Sequence, residues 1–249
     1  MEKIQHSYNE LIIHKHVCFI HIPKSSGTSF QSNQIRNLNH KFNVSNVYRR
    51  PASLRGYRGY WSDRWEVCTY PKAPTTKMSI IRNPFDLLCS YYFHGDEYNE
   101  KIDSFQHSGW SGCNWTHKLT TFKEFIQAYC DPDTDWHVPA FKNFLYSQLF
   151  DANHNCVADV IIKYEYRKEA IDILNTKLKH PIVNRVKNKS KRKQHNYKKY
   201  YDDEMIALVN EKCKKELELF HYDFNGSTKY EPLILNCKVK YDVHNNTFL

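Results

Sequence analysis

Short β-branched runs along this chain are followed repeatedly by stretches whose apolar residues recur at helical spacing, and that alternation predicts strands leading into helices. The expected strands cover 17–22, 42–48, 78–82 and 159–164. The expected helices cover 28–39, 84–94, 121–130, about 138–149, 166–178 and about 202–220. The box Thr121-x-x-Glu124 predicts where one helix starts, and Asp202 or Asp203 where the last one does. That last helix would place Ile206, Val209, Cys213, Leu217 and Phe220 on one face. A long aromatic loop, 49–76, and a polar, Trp-containing loop after 94 separate these elements. The order predicts an α/β fold with a mostly parallel central sheet flanked by helices. One domain spans 1–249, with an N-terminal extension at 1–15, a basic loop at 185–199 and a C-terminal tail at 225–249.

Composition agrees with a folded domain. The 249 residues suffice for a sizeable core, aromatic residues make up 15% of them, and only 7 are glycine. No internal repeat is present. The first sixteen residues lack the apolar run of a signal peptide, and no stretch approaches a membrane span. A cytoplasmic or otherwise soluble protein is therefore expected. Eight cysteines, Cys18, Cys68, Cys89, Cys113, Cys130, Cys156, Cys213 and Cys237, form no C-x-x-C pair, so no metal site is expected. Without a secretory signal, free thiols are expected over disulfides.

The chemistry concentrates in V-C-F-I-H-I-P-K-S-S-G-T-S-F at 17–30. Val17 to Ile22 reads as a buried strand, Pro23 ends its pairing, and Gly27 permits a turn in which backbone N–H groups approach a ligand. A helix beginning near Thr28 would point its unsatisfied N–H groups at the same place, with Ser25, Ser26 and Ser29 around it and Lys24 adding a positive charge. The common triphosphate loop puts its lysine after the last glycine, whereas Lys24 precedes Gly27. An ordinary strand-to-helix connection rich in turn residues is the alternative reading.

A second cluster, K-M-S-I-I-R-N-P-F-D-L-L-C-S-Y-Y at 77–92, predicts a strand ending at Arg82 and a helix with Pro84 in its first turn. Ser90 falls about two turns into that helix, so Arg82 and Ser90 would address a second anionic group, the arginine through its forked donors.

These two segments resemble the two nucleotide motifs of sulfotransferases that use 3′-phosphoadenosine 5′-phosphosulfate. H-I-P-K-S-S-G-T-S at 21–29 is similar to their 5′-phosphosulfate loop, and I-R-N-P-F-D-L-L-C-S-Y-Y at 81–92 to their 3′-phosphate motif. The I-P-K-x-x-G-T-S form resembles the carbohydrate branch most. Residues 159–165 and 200–224 resemble later segments of the family. The resemblance implies a P-loop-like sulfotransferase fold, with 3′-phosphoadenosine 5′-phosphosulfate as donor and 3′-phosphoadenosine 5′-phosphate as product. It also implies a role for Lys24 at the leaving phosphate. Animal relatives of that branch carry an anchor facing the Golgi lumen, which for this protein would have to lie outside the given chain.

The net charge of +9 comes almost wholly from 185–199, which holds eight Lys and Arg and no acid. That run reads as a lid, as a polyanion patch or as solvated surface. The resemblance places a cofactor-binding loop there, so Lys191 and Arg192 are candidate nucleotide contacts. Sulfuryl transfer to a hydroxyl also needs a general base. Glu66 and His94 are the leading candidates, His40 is next, and His21 is expected to be structural. The acceptor is expected to be a glycan or another hydroxyl-bearing molecule. Aromatics such as Trp61, Trp65 and Trp110 would stack on sugar rings, and Arg49, Arg50, Arg55, Arg58 and Arg64 would suit an acidic acceptor. Neither a nucleic-acid partner nor a membrane span is expected. Two other readings stay open: a non-catalytic polyanion binder and a nucleotide kinase.

Overall fold

The computed structural model describes residues 8, 11, 13, 16–20, 22, 24–25, 75–99, 121–134, 145–146, 149–150, 153–178, 182, 196–242 and 247–249. In chain order the elements are β1 (His16–Ile20), β2 (Thr75–Ile81), α1 (Pro84–Asn99), α2 (Phe122–Cys130), β3 (Val160–Lys163) and α3 (Arg167–Asn175). Then come α4 (Asp203–Lys212), α5 (Lys214–Leu219) and the short strands β4 (Tyr222–Asp223), β5 (Gly226–Ser227), β6 (Leu233–Leu235), β7 (Tyr241–Asp242) and β8 (Thr247–Phe248). Two 3-10 turns, Tyr164–Tyr166 and Tyr197–Tyr200, precede α3 and α4.

The main sheet among the described residues is four-stranded and mixed, in the order β1-β2-β3-β6. β1 runs parallel to β2 from His16 opposite Thr75 to Ile20 opposite Ser79, and β2 runs parallel to β3 from Met78 opposite Val160 to Ile81 opposite Lys163. β6 is antiparallel to β3, with Leu235 opposite Val160 and Leu233 opposite Ile162. This antiparallel edge lies within the span expected as the C-terminal tail, 225–249. The β4–β5 hairpin turns the chain back before 233, so Leu233–Leu235 meets β3 from the opposite direction.

Both faces of the sheet are covered, and the strands show it by alternation. Ile20, Ile81 and Ile161 face a core built with Phe85 and Leu88 of α1, Phe125 and Ile126 of α2, and Val209 and Leu217 of α4 and α5. Met78, Ile80, Val160 and Ile162 face the other way, onto Ala170, Ile171 and Leu174 of α3 together with Tyr8 and Leu11. The buried hydroxyl of Ser79 is satisfied by donating to the Ile20 carbonyl at 2.9 Å. Helix α2 starts as its sequence requires. Thr121 Oγ1 accepts from the Glu124 N–H at 3.2 Å, and Glu124 Oε2 accepts from the Thr121 N–H at 2.9 Å.

Some element ends differ from expectation. The helix expected over 166–178 runs as α3 only to Asn175, where the Thr176 hydroxyl donates to the Ile173 carbonyl at 2.7 Å and competes with the helix ladder. The single helix expected over 202–220 divides at Cys213, whose ψ of 17° leaves the helical region, and the break accompanies burial of Glu216 as well as Leu217. Within the span expected as a helix at about 138–149, the described Leu145, Tyr146, Leu149 and Phe150 form a tight turn and a bridge. There the Leu149 N–H donates to the Tyr146 carbonyl at 2.8 Å and Phe150 bridges Cys156. The elements expected at 28–39 and 42–48 and the loop at 49–76 lie outside the described residues, apart from the last two loop positions, which belong to β2.

Glu216 is the polar residue that helical periodicity missed. It is 3% exposed and accepts from the Leu145 N–H at 2.9 Å, and burial raises its carboxyl to about 7. Its ordinary value is 4.5, so its protonated form is the one the fold favours. Stability from this group is fully present below 4.5 and is lost as pH rises through about 7. Thermal unfolding of the Glu216→Gln variant should therefore show a gain over wild type that grows across that window. Parallel pH profiles for the two proteins would contradict this.

Candidate active site

Three parallel strands end side by side, and the residues that follow each end meet. After β1 come Ile22, Lys24 and Ser25; after β2, Arg82 and Asn83; after β3, Tyr164 and Glu165. Carboxyl ends of parallel strands are where ligands of such sheets bind, because the backbone there is released from strand pairing.

Arg82 is the hub. It is 6% exposed, and its Nη1 donates to the Lys24 carbonyl at 3.1 Å. Its Nε and Nη2 reach Asp86 Oδ2 at 2.6 and 2.5 Å, and its guanidinium carbon lies 4.5 Å from the centre of the Tyr164 ring. Its own carbonyl accepts a short hydrogen bond from the Tyr146 hydroxyl. A guanidinium has five N–H donors, and the described residues engage three of them.

Lys24 has φ of 61°, in the left-handed region that costs a non-glycine residue about 1–2 kcal/mol. Hydrogen bonds to charged groups contribute about 1.5–3 kcal/mol, enough for the Arg82 contact to hold that conformation. Beside it, Ser25 is 1% exposed. Its N–H donates to the Ile22 carbonyl at 3.3 Å, while its Oγ is buried with no hydrogen-bond partner among the described residues. An unmade buried hydrogen bond costs about 1–3 kcal/mol, which an oxygen-bearing ligand at this turn would relieve. That fits a phosphate or sulfate group.

Asn83 fixes the other side. Its Oδ1 caps α1 by accepting from the Phe85 N–H at 3.0 Å, with Pro84 in the first helical position. Its Nδ2 donates to the carbonyls of Asp223 at 2.7 Å and Gly226 at 3.3 Å, tying the β4–β5 hairpin to the strand end. Its N–H donates to Glu165 Oε1 at 2.7 Å, and Glu165 Oε2 accepts from the Tyr222 hydroxyl at 2.8 Å. Burial raises the Glu165 carboxyl, and these hydrogen bonds oppose that rise. Next to it the fully buried Lys163 ammonium donates to Ser227 Oγ at 3.1 Å and lies 3.7 Å from Glu231, with its affinity for a proton lowered by burial.

Lys24, Ser25 and Arg82 thus lie at one corner of the sheet, joined through the Lys24 carbonyl. Ser90 lies buried in α1, 5% exposed, and His94 lies one turn further along the same helix. Ser26, Gly27, Thr28, Ser29, His40, Glu66, Lys191 and Arg192 lie outside the described residues. The end of the basic run is described. Tyr197 donates its hydroxyl to the Phe224 carbonyl at 2.7 Å and Lys198 Nζ donates to Asn225 Oδ1 at 3.3 Å, so the run is anchored on the hairpin that Asn83 holds. Sequence reasoning missed Asn83 and Glu165. An asparagine before a proline at a helix start was a legible cap signal, whereas nothing local marks Glu165 as the partner of a residue 82 positions away.

Among the described residues no cluster of His, Cys, Asp and Glu is arranged for a metal, and no helix is long and apolar enough to cross a membrane. Comparison with curated proteins and with solved structures gives no match. Residues 13–223 match the family model described as the sulfotransferase family, a span that contains every element from β1 to β4, and the chain belongs to that family.

Proposed function

We propose that the protein transfers a sulfuryl group from 3′-phosphoadenosine 5′-phosphosulfate to an acceptor hydroxyl, on a carbohydrate, by in-line displacement. The observation that supports this most is the hydrogen bond from Arg82 to the Lys24 carbonyl, because it joins the ends of β1 and β2 into one anion-binding corner. A nucleotide with phosphate groups at both its 5′ and 3′ positions needs two basic centres held at a fixed separation. Family membership and the buried Ser25 hydroxyl, without a hydrogen-bond partner among the described residues, support the same reading.

The donor supplies the sulfuryl group and a phosphate leaving group. On this reading the Lys24 ammonium neutralises charge as the sulfur–oxygen bond to that phosphate lengthens. N–H groups of the 25–29 turn, with Ser25, Ser26, Gly27, Thr28 and Ser29, hold the 5′ end. Arg82 and Ser90 hold the 3′-phosphate, the arginine through its forked donors. Lys191 and Arg192 close over the nucleotide, a role suited to a basic run whose far end is fastened at Phe224 and Asn225. Glu66 or His94, with His40 as the remaining candidate, takes the proton of the acceptor hydroxyl. Arginines of the 49–66 segment suit a uronate or sulfated sugar as acceptor. The P-loop-like arrangement and the parallel pairing of β1, β2 and β3 belong to this reading.

A labelled-sulfate screen over glycans, phenols and peptides tests the proposal. Transfer from the donor to a glycan is expected, and Lys24→Ala should lower kcat by about 10²–10³-fold with little change in donor KM. Arg82→Ala should act mainly on donor KM, and Asp86→Ala should destabilise the fold by about 3 kcal/mol, because it strands a buried guanidinium. Normal transfer by either the Lys24 or the Arg82 variant would overturn the proposal. So would steeply salt-dependent binding of polyanions, surviving loss of Lys24, with no transfer at all.

A further inference from the structure

The edge of the sheet carries a second piece of chemistry. Beyond the β3–β6 ladder the same antiparallel register continues: Asn155 bridges Lys240, and the Cys156 N–H donates to the Val239 carbonyl at 3.0 Å. Nearer the sheet the Asn236 N–H donates to the Asp159 carbonyl at 2.9 Å. In this register Cys156 lies opposite Val239 and Cys237 opposite Ala158, so the two cysteines sit two positions apart across the paired segments. Their two thiols are close enough to shift each other's affinity for a proton, and both are free and only partly buried. The other described cysteines differ. Cys89 and Cys213 are fully buried, and burial is what raises the thiol of Cys130.

We propose that Cys156 and Cys237 form a redox-active dithiol that closes to an intramolecular disulfide across the sheet edge when the protein meets a low-molecular-weight disulfide oxidant. The geometry supplies the framework of such a pair: two facing segments whose backbone hydrogen bonds hold the cysteines across from one another, two positions apart. The hydrogen bond from Cys156 favours a thiolate on Cys237 and holds it below the ordinary thiol value, while the same bond, with burial, pushes the Cys156 thiol up.

The steps balance with the named oxidant. The Cys237 thiolate attacks one sulfur of the small disulfide, forming a mixed disulfide and expelling one small thiolate. Cys156 then gives its proton to water and attacks the Cys237 sulfur, expelling the second small thiolate. Two cysteine thiols are oxidised, one small disulfide is reduced to two thiols, and the protein loses two hydrogen atoms. The new bond would fasten the segment carrying β6 and Glu231 to the strand that leads into Lys163 and Glu165.

The test incubates the intact wild-type protein with oxidised glutathione and maps peptides by mass spectrometry without reduction. A linked pair of peptides containing Cys156 and Cys237, lost on reduction, is expected. Persistence of both thiols, or linkage of either to another cysteine instead, would overturn the proposal. A second measurement follows iodoacetamide alkylation of Cys237 near neutral pH. Cys156→Ala should slow it several-fold, since the donor beside the Cys237 sulfur is removed, and an unchanged rate would count against the pairing. Neither readout depends on sulfate transfer.

Discussion

The fold and the candidate site both depend on how the end of β2 is fastened to its neighbours. Arg82 and Asn83 are adjacent in sequence, and they bond in opposite directions across the sheet: Arg82 to the Lys24 carbonyl after β1, Asn83 to Glu165 after β3. Three loops that would otherwise move separately are thereby held as one surface. The same two residues also start α1, through the Asn83 cap and the ion pair with Asp86 in the first turn of the helix. Removing either connection would loosen the strand end and the helix entry together.

Burial gives these bonds their weight. The Arg82–Asp86 pair has side chains only 7% and 13% exposed, so neither charge has water to fall back on. Glu165 is similarly committed, with both carboxylate oxygens accepting hydrogen bonds from groups that have few alternatives. The β4–β5 hairpin closes the arrangement from outside. Gly226, with φ of 142°, makes its turn, and Asp223 Oδ1 accepts from the N–H groups of Asn225 and Gly226 at 2.6 and 2.8 Å, leaving backbone carbonyls free to face Asn83. The C-terminal tail thus begins as part of the site's support, through the Gly226 carbonyl.

What was legible in the sequence follows the range of the interactions concerned. Strand and helix identities rest on local periodicity, and β2, β3, α1 and α2 fall where the apolar pattern of residues 78–82, 159–164, 84–94 and 121–130 puts them. Lys24 and Arg82 were legible because each follows directly on a strand. Their contact was legible only through the resemblance of two separate motifs to a known pair. Lys163 and Glu216 were not legible, since a lysine in a strand and a glutamate in a helix look solvent-facing until the surrounding elements bury them. The antiparallel edge at Leu233–Leu235 was missed for a similar reason: three residues carry too little periodicity to announce a strand, and the register comes from β3.

If the corner between Lys24 and Arg82 is a single site for a nucleotide bearing two phosphate groups, its clearest signature is a binding equilibrium independent of any acceptor. Isothermal titration of the intact protein with 3′-phosphoadenosine 5′-phosphate measures it directly. One saturable site per chain is expected, with adenosine 5′-phosphate binding far more weakly because it lacks the group that Arg82 would hold. Equal affinity for the two nucleotides, or no saturable binding of either, would contradict it.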